Sequence, residues 1–288
     1  METNGHAGAK MSLNSLGSLF SATWKLYKDR WKGLVEIALL PTLVMVLGYV
    51  LLWLGHPFSI LGALVVFVGW FVFVFSVMPI IFSIHHSTGV DASYKATLGW
   101  FWPFVWVIII EILAVIGGWI MVIIPGIWLA VSLSFTAYVF VIERRRGLDA
   151  LRQSKDYVKG YWWPVWGRML LVGVPFVIVE AVLEAIFAAA GGRVLASIVG
   201  MVLTLFILPY TSIYNYLIFQ NLRELKPEMA TAEKKEGGGF IMASAIVGIA
   251  VPVLVVFALV AFGAIGAIRA FHGEGPYAPP PGYGVQNY

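Results

Sequence analysis

Three carboxylates lie inside apolar stretches of this sequence, where charged side chains are rare. Glu111 is near the middle of one stretch, and Glu180 and Glu184 share one helix face in another. A charge at the bilayer centre costs about 2.5–3.5 kcal/mol on insertion scales, so such residues usually face a bundle interior or water. They could form a proton or cation relay, or line a polar cavity for a solute or a lipid headgroup. We favour the simpler interpretation, hydrogen bonding between helices, from Glu111 to Ser132, Ser134 or Thr136 and from Glu184 towards Arg193.

A second polar set, in a later apolar stretch, runs from Thr204 to Asn221 and includes Tyr210 and Asn215. Pro209 is expected to break the helix within this set. Freed backbone groups are tolerated in a membrane where a cavity or a neighbouring helix satisfies them. The set therefore predicts either a cavity or, more simply, hydrogen bonds that hold helices together.

Motifs typical of soluble enzymes are missing from the sequence, which contains no HExxH, GxxxxGK[ST] or GxGxxG pattern and no cysteine. His85 and His86 are adjacent, but a metal site needs more ligands than the nearby sequence offers, so we expect them at a membrane interface. We therefore predict no catalytic residue, no metal site and no cofactor. The protein is expected not to be an enzyme.

The composition predicts an all-α integral membrane protein. A soluble domain carries roughly 25% charged residues, whereas this chain has 12% charged and 60% hydrophobic residues. That is too little charge to cover a water-exposed surface, so the bilayer is the expected solvent. The first 32 residues lack the apolar core of a signal peptide, and the first spanning helix is expected to be an uncleaved anchor.

Seven segments are long and apolar enough to span a bilayer, which takes about 20 residues. They are residues 34–54, 59–84, 101–124, 126–142, 169–190, 194–219 and 240–268. Pro125-Gly126 divides one unbroken apolar run and predicts a tight hairpin turn. The first six segments therefore form three hairpins, and the seventh is single.

The basic residues predict the orientation. With the N-terminus in the cytoplasm, 17 of the 19 Lys and Arg residues fall on the inner side, and only Arg193 and Arg269 fall outside. This bias predicts a plasma-membrane protein with a cytoplasmic N-terminus and an extracytoplasmic C-terminus. It also explains the net charge of +4 without nucleic acid as a partner.

Residues 143–169 form a basic, tryptophan-rich stretch between apolar segments. A helical wheel places Arg152, Asp149, Gln153, Asp156 and Lys159 on one arc and mainly apolar residues on the other, which predicts an amphipathic helix in the interface plane. Trp162 and Trp163 are expected at headgroup depth, and Pro164 in the first turn of the next helix. The candidates for contact with anionic lipid headgroups are Arg144, Arg145, Arg146, Arg152, Lys155, Lys159, Trp162 and Trp163.

The same arrangement of an in-plane helix followed by a transmembrane hairpin is predicted three times, in residues 13–84, 85–142 and 143–221. The first in-plane helix has one apolar face formed by Leu13, Leu16, Phe20, Trp24, Tyr27 and Trp31. The second covers residues 91–98, with Asp91 as its expected N-cap. A flexible cytoplasmic linker (222–239) and a single transmembrane helix (240–270) complete the chain, with disordered ends at 1–12 and 271–288.

The run PGIWLAVSLSFTAYVFVIERRRGLDALRQSKDYVKGYWW resembles the bacterial and archaeal multi-pass proteins named after the membrane domain of glycerophosphoryl diester phosphodiesterase. The resemblance covers roughly residues 13–226 and is specific around 125–165. It is carried by Pro125, Gly126, Glu143, Leu148, Ala150, Leu151, Ser154, Lys159 and Gly160. It implies no phosphodiesterase activity, because that chemistry belongs to a separate barrel domain of about 250 residues, for which this chain has no room. Stand-alone members of the family generally have no assigned biochemical role.

Two features near the C-terminus predict contacts. Ser244-x3-Gly248 and Gly263-x3-Ala267 in the seventh span are small-residue patterns suited to a helix–helix partner. Pro280-Pro281-Gly282-Tyr283 matches a WW-domain ligand, although a disordered extension is the simpler interpretation. We expect a membrane-organising or interaction protein that contacts anionic phospholipid. The alternatives are a proton-coupled carrier that uses the intramembrane carboxylates and, less favoured, an intramembrane lipid-modifying enzyme.

Overall fold

A computed structural model describes residues 13–230 and 238–271, and of residues 191, 193–194 and 266–271 only the backbone. The described chain consists of helices with short connections. These are α1 (Leu16–Trp53), α2 (Ser59–His86), α3 (Val90–Thr97), α4 (Phe101–Met121), α5 (Ile123–Leu133), α6 (Thr136–Ile142), α7 (Leu148–Val158), α8 (Trp162–Leu225), α9 (Pro227–Ala230) and α10 (Gly239–Phe271). Of the predicted ends at 1–12 and 271–288, residues 1–12 and 272–288, with the WW-ligand pattern, lie outside the described residues.

Seven helical stretches within these ranges are long and apolar enough to cross a membrane, which confirms that part of the prediction. They are Leu16–Trp53, Ser59–His86, Val90–Met121, Ile123–Ile142, Trp162–Ala190, Leu195–Leu225 and Gly239–Ile265. Each contains the apolar segment predicted for it or most of that segment. The chain is therefore an all-helical, multi-pass membrane protein.

The first predicted unit is wrong in one respect, since α1 is a single helix of 38 residues. At 1.5 Å per residue it is about 57 Å long, so no separate in-plane helix precedes the first span. Gly33 lies at the expected boundary, and a single glycine costs a helix only about 1 kcal/mol relative to alanine. In α1, Trp24 and Leu16 are exposed, while Leu19 and Thr23 are buried against the second half of α8.

The turn of the second hairpin lies earlier than predicted. Val122 is extended (φ −165°, ψ 151°) and separates α4 from α5, whereas Pro125 and Gly126 lie inside the first turns of α5. Proline is compatible with a helix start because the first amides have no intrahelical acceptor. Gly126 instead permits close packing, since a Cβ atom there would lie 2.6 Å from the Trp119 ring.

Two further expectations about helix boundaries are wrong. Asp91 is not an N-cap; α3 begins at Val90 after Gly89, and the Asp91 carboxylate pairs with Lys95 at 2.7 Å. Residues 126–142 are not one helix, because α5 ends at Leu133 and α6 begins at Thr136. The short helices α3 and α7 each precede a longer helix, whereas no separate short helix precedes α1.

The helix α8 folds back on itself at Gly192, whose φ of 79° and ψ of 176° are non-helical and easily adopted only by glycine. Its first arm (Trp162–Ala190) and second arm (Leu195–Leu225) are antiparallel, since Tyr214 Oη donates to Arg168 O at 3.0 Å and Thr204 Oγ1 to Glu180 Oε1 at 3.0 Å. Pro209 does not break the second arm, contrary to expectation. The predicted linker is also partly helical, because α8 continues to Leu225 and α9 follows.

The helix α10 packs on α4 through small residues. Gly117 and Gly248 allow the backbones to meet, since a Cβ atom on Gly117 would lie 1.7 Å from Ser244 O. The predicted contact through Ser244-x3-Gly248 is therefore made within the same chain. Gly263 has open space around it, and residues 253–260 of α10 are exposed on all sides.

The largest buried core lies at one end of the bundle, where α7 meets both ends of α8. Its fully buried side chains include Phe135, Tyr157, Tyr214 and Phe219. We call this the basic end, because Arg145, Arg168, Arg223 and Lys226 lie there. The start of α1 joins it, as Arg168 donates to Asn14 O at 2.9 Å and Asn14 N–H to Asn221 Oδ1 at 2.7 Å.

Candidate functional site

The helix α7 is seated in protein and does not lie freely on a membrane surface. Ala150, Leu151, Ser154, Tyr157 and Val158 are all almost completely buried. Gln153, predicted on the polar arc, is also buried and donates to Met229 O in α9. A face that seeks an apolar environment can find it in protein as readily as in lipid, and the sequence pattern does not distinguish the two.

A buried hydroxyl joins α7 to the break between α5 and α6. Ser154 Oγ donates to Ser132 O at 2.9 Å and accepts from the Phe135 N–H at 3.1 Å. Both backbone groups would lack helical partners at this break, and a buried unpaired group costs about 1–3 kcal/mol. The break after Leu133 is thus matched to the position of one serine on α7.

Glu143 is the charged centre of the basic end, with a side chain only 4% exposed. Its Oε1 accepts from Tyr157 Oη at 2.6 Å and lies 3.1 Å from Arg223 Nε, while Oε2 is 3.7 Å from Arg145 Nε. Burial raises the pKa of this carboxyl group, and Tyr157, Arg223 and Arg145 act in the opposite direction. Burial and Glu143 together raise the pKa of Tyr157, so its hydroxyl stays a donor.

A lysine from beyond α8 closes the far end of α7. Lys226 Nζ donates to the carbonyl oxygens of Asp156, Tyr157 and Lys159 at 2.6, 2.9 and 2.6 Å. These carbonyls belong to the last turn of α7 and its C-cap, where a positive charge is favoured by the helix dipole. Lys226 thereby links the end of α8 to the end of α7.

The predicted headgroup residues divide into two groups. The first group, Arg144, Arg145, Arg146 and Arg152, makes contacts within the protein. Arg145 bridges Glu143 and Asp149, while the guanidinium groups of Arg144 and Arg146 lie 3.8 and 5.3 Å from the Trp100 ring centroid. Arg152 lies against the backbone of Gly238.

The second group, Lys155, Lys159, Trp162 and Trp163, lies around the turn from α7 into α8. Lys159 and Trp163 are exposed, with Trp163 70% accessible, and Trp162 is half-buried. Lys155 Nζ lies 6.0 Å from the Trp128 ring centroid. Of all the predicted headgroup residues, Lys159, Trp163 and also Arg144, beside Trp100, have exposed side chains.

The turn of the second hairpin lies against the start of α8. Trp162 Nε1 donates to Trp128 O, in α5, at 3.2 Å. The segment formed by α5 and α6 ends at Glu143, which lies beside Arg223. Trp162 and Arg223 belong to the two ends of α8, so the segment lies across the basic end. The positive-inside pattern predicts opposite sides of the bilayer for Pro125-Gly126 and Trp162. The hydrogen bond instead places Trp128, two residues after Gly126, directly against Trp162.

No family model, curated protein or solved structure matches this chain. The family resemblance therefore rests on the residues that carry it. Several of them build the seat of α7, namely Glu143, Ala150, Leu151 and Ser154. Gly160, with φ of 86°, allows the turn from α7 into α8.

A second site candidate is a cleft between the α1–α2 hairpin and α8. This cavity of about 350 Å³ is lined by Glu180 and Glu184, with Thr42, Tyr49, Trp70 and Thr204 among its other walls. Glu180 accepts the hydrogen bond from Thr204, and the Glu184 carboxylate lies directly over Gly200. The structure thus brings the two predicted carboxylates into one open space.

The remaining predicted polar residues lie elsewhere. Glu111 is outside the cleft and lies close to Thr136, one of the three partners predicted across the hairpin. Tyr210 packs between Phe176 and Tyr27, at ring-centroid distances of 5.5 and 5.6 Å, and Asn215 is half-buried on the second arm. The side chain of Arg193, the partner expected for Glu184, lies outside the described side chains.

Histidines do not form a metal site among the described residues. His85 Nδ1 lies 3.1 Å from Tyr216 Oη, and His86 packs on the Phe82 ring. The functional residues that sequence reasoning missed are Tyr157, Arg223 and Lys226. The only sequence feature that marks these residues is that they are polar and lie near the ends of apolar segments. Nothing in the local sequence predicts Glu143 or the end of α7 as their partners.

Proposed function

We propose that this protein is a non-enzymatic, multi-pass plasma-membrane protein that contacts anionic phospholipid at its basic end and organises the membrane or partners around it. The N-terminus is proposed to be cytoplasmic, as the distribution of basic residues indicates. Membership of the family named after the membrane domain of glycerophosphoryl diester phosphodiesterase is part of the same proposal. This proposed membership is consistent with a structural role and not with a catalytic one.

The observation that carries the proposal is the fixed position of α7. Buried Ser154 and Tyr157 hold one side of the helix, and Lys226 holds its end, while Lys159 and Trp163 remain exposed beside it. A lysine near an anionic leaflet contributes about 1 kcal/mol, and exposed tryptophan is favoured at headgroup depth. A rigid scaffold that presents both types supports lipid contact over a purely topological role for the charges.

The test uses the full-length protein in nanodiscs that contain equal amounts of phosphatidylglycerol and phosphatidylcholine. Lipid that stays with the protein after mild detergent extraction is then quantified. We expect enrichment of phosphatidylglycerol that declines as ionic strength rises, because salt screens exposed charges. Equal retention of the two lipids at low salt would contradict the proposed function.

The cleft favours one second candidate, a carrier of protons or cations. Glu180 and Glu184 belong to an apolar helix and line one open cavity between two hairpins. Intramembrane carboxylates that serve transport typically line such cavities. Against it, Glu180 already has a hydrogen-bonding partner in Thr204, as a bracing residue would.

A further inference from the structure

An apolar groove lies where the second hairpin meets the start of α8. This cavity of about 500 Å³ is lined by Ile124, Ile127, Trp128, Trp162, Trp163 and Trp166. Its size falls within the range of ligand pockets, about 300–1,000 Å³. Its walls are entirely isoleucine and tryptophan side chains, so its occupant must present hydrocarbon.

One lysine side chain lies beside this groove, and a second lysine is close to it in sequence. Lys155 Nζ is 6.0 Å from the ring centroid of Trp128, a wall residue, and Lys159 is exposed three residues before Trp162. Long lysine stems lie along apolar surface while the ammonium group reaches a polar layer. The groove therefore combines an apolar interior with positive charge on one edge, which is complementary to an anionic amphiphile.

The groove is also rigid. Its two walls are joined by the hydrogen bond from Trp162 Nε1 to Trp128 O. On one wall Trp162, Trp163 and Trp166 pack against one another, with centroid distances of 4.8 to 5.3 Å. Preformed apolar surface lowers the entropy cost of binding a flexible chain.

We propose that this groove binds one acyl chain of an anionic phospholipid whose headgroup pairs with Lys155 and Lys159. The proposal rests on the proposed function and gives it a defined site. It also assigns a role to the hairpin turn: Ile124 and Ile127 follow the break at Val122 and supply one wall of the groove.

The experiment titrates the purified full-length protein in detergent with dioleoylphosphatidylglycerol or dioleoylphosphatidylcholine and counts bound lipids by native mass spectrometry. Lys155→Gln removes the charge and keeps the groove, and Ile127→Trp fills the groove and keeps the charge. Lys95→Gln, on exposed α3, and Ile249→Trp, on exposed α10, are the matched controls.

The wild-type protein is expected to bind its first phosphatidylglycerol more tightly than phosphatidylcholine. Lys155→Gln should weaken that binding about fivefold, the effect of one lysine near an anionic headgroup, and Ile127→Trp should abolish the preference. Both controls should match the wild type. If Ile127→Trp fails to fold, Ile124→Trp, at a position 75% exposed, fills the same groove.

Two results would overturn the proposal. One is a preference unchanged by filling the groove, and the other is an equal effect of Lys155→Gln and Lys95→Gln. In both cases a wild-type preference for phosphatidylglycerol would still support general lipid contact, so only the groove would fail. A wild type with no preference would instead overturn the proposed function itself.

Discussion

Individual side chains decide what each polar position does in this protein. Glu143 and Glu180 are both carboxylates near apolar helices, but their surroundings differ. Glu143 is enclosed by Tyr157, Arg223 and Arg145, whereas Glu180 has Thr204 on one side and a cavity on the other. The first is a structural centre, and the second retains access to a ligand or a proton.

Glu180→Gln separates bracing from carrying. A neutral amide accepts the hydrogen bond from Thr204 at similar volume, so if Glu180 braces the fold the variant should keep its stability within about 1 kcal/mol. No carboxyl band that titrates near neutral pH should then be lost from the infrared spectrum of the variant. Unfolding by denaturant and difference infrared spectroscopy measure the two quantities, with Glu36→Gln, on the exposed face of α1, as control.

A carboxyl band that titrates near neutral pH and disappears in Glu180→Gln, with the fold retained, would move the carrier to first place. We expect bracing. At this scale sequence reasoning named Thr136 as one of three possible partners of Glu111, because the hairpin turn limits which residues can meet. It could not pair Glu143 with Arg223, which are distant in the chain and meet only through the fold of α8.

At the scale of elements, the position of each helix depends on contacts that its own sequence does not specify. The amphipathic pattern predicted α7 but not its seat, because lipid and protein interior both accept an apolar face. The break between α5 and α6 was not predicted either, since it depends on Ser154 of another helix. The small-residue pattern in α10 was more informative, because it requires a close helix neighbour, which is α4.

Gly117→Ala tests the contact between α4 and α10. The added Cβ atom would meet the backbone of Ser244, which cannot move aside as a side chain can, so the helices must separate. Overpacking of this kind costs about 1–3 kcal/mol. Unfolding in denaturant should show that loss. Gly263→Ala, where nothing lies within 4 Å, should leave stability unchanged or raised. Equal effects of the two substitutions would contradict the packing described for α10.

At the scale of the whole molecule, hydropathy predicted the number of apolar helices, because length and composition suffice for it. The side of the membrane on which each loop lies does not follow from length and composition. The positive-inside pattern treats every hairpin as crossing the bilayer, but the second hairpin has its turn beside Trp162 and its other end beside Arg223. Both ends of α5–α6 thus lie at the basic end.

The position of that hairpin turn tests the account most directly, and the absence of cysteine from the chain makes the measurement clean. Single-cysteine variants Ile124→Cys at the turn, Lys159→Cys at the basic end and Phe58→Cys in the α1–α2 loop are labelled with a membrane-impermeant maleimide in sealed, oriented vesicles. All three positions are exposed. We predict that Ile124→Cys reacts from the same side as Lys159→Cys and opposite to Phe58→Cys. Labelling of Ile124→Cys from the side of Phe58→Cys would contradict a hairpin lying across the basic end.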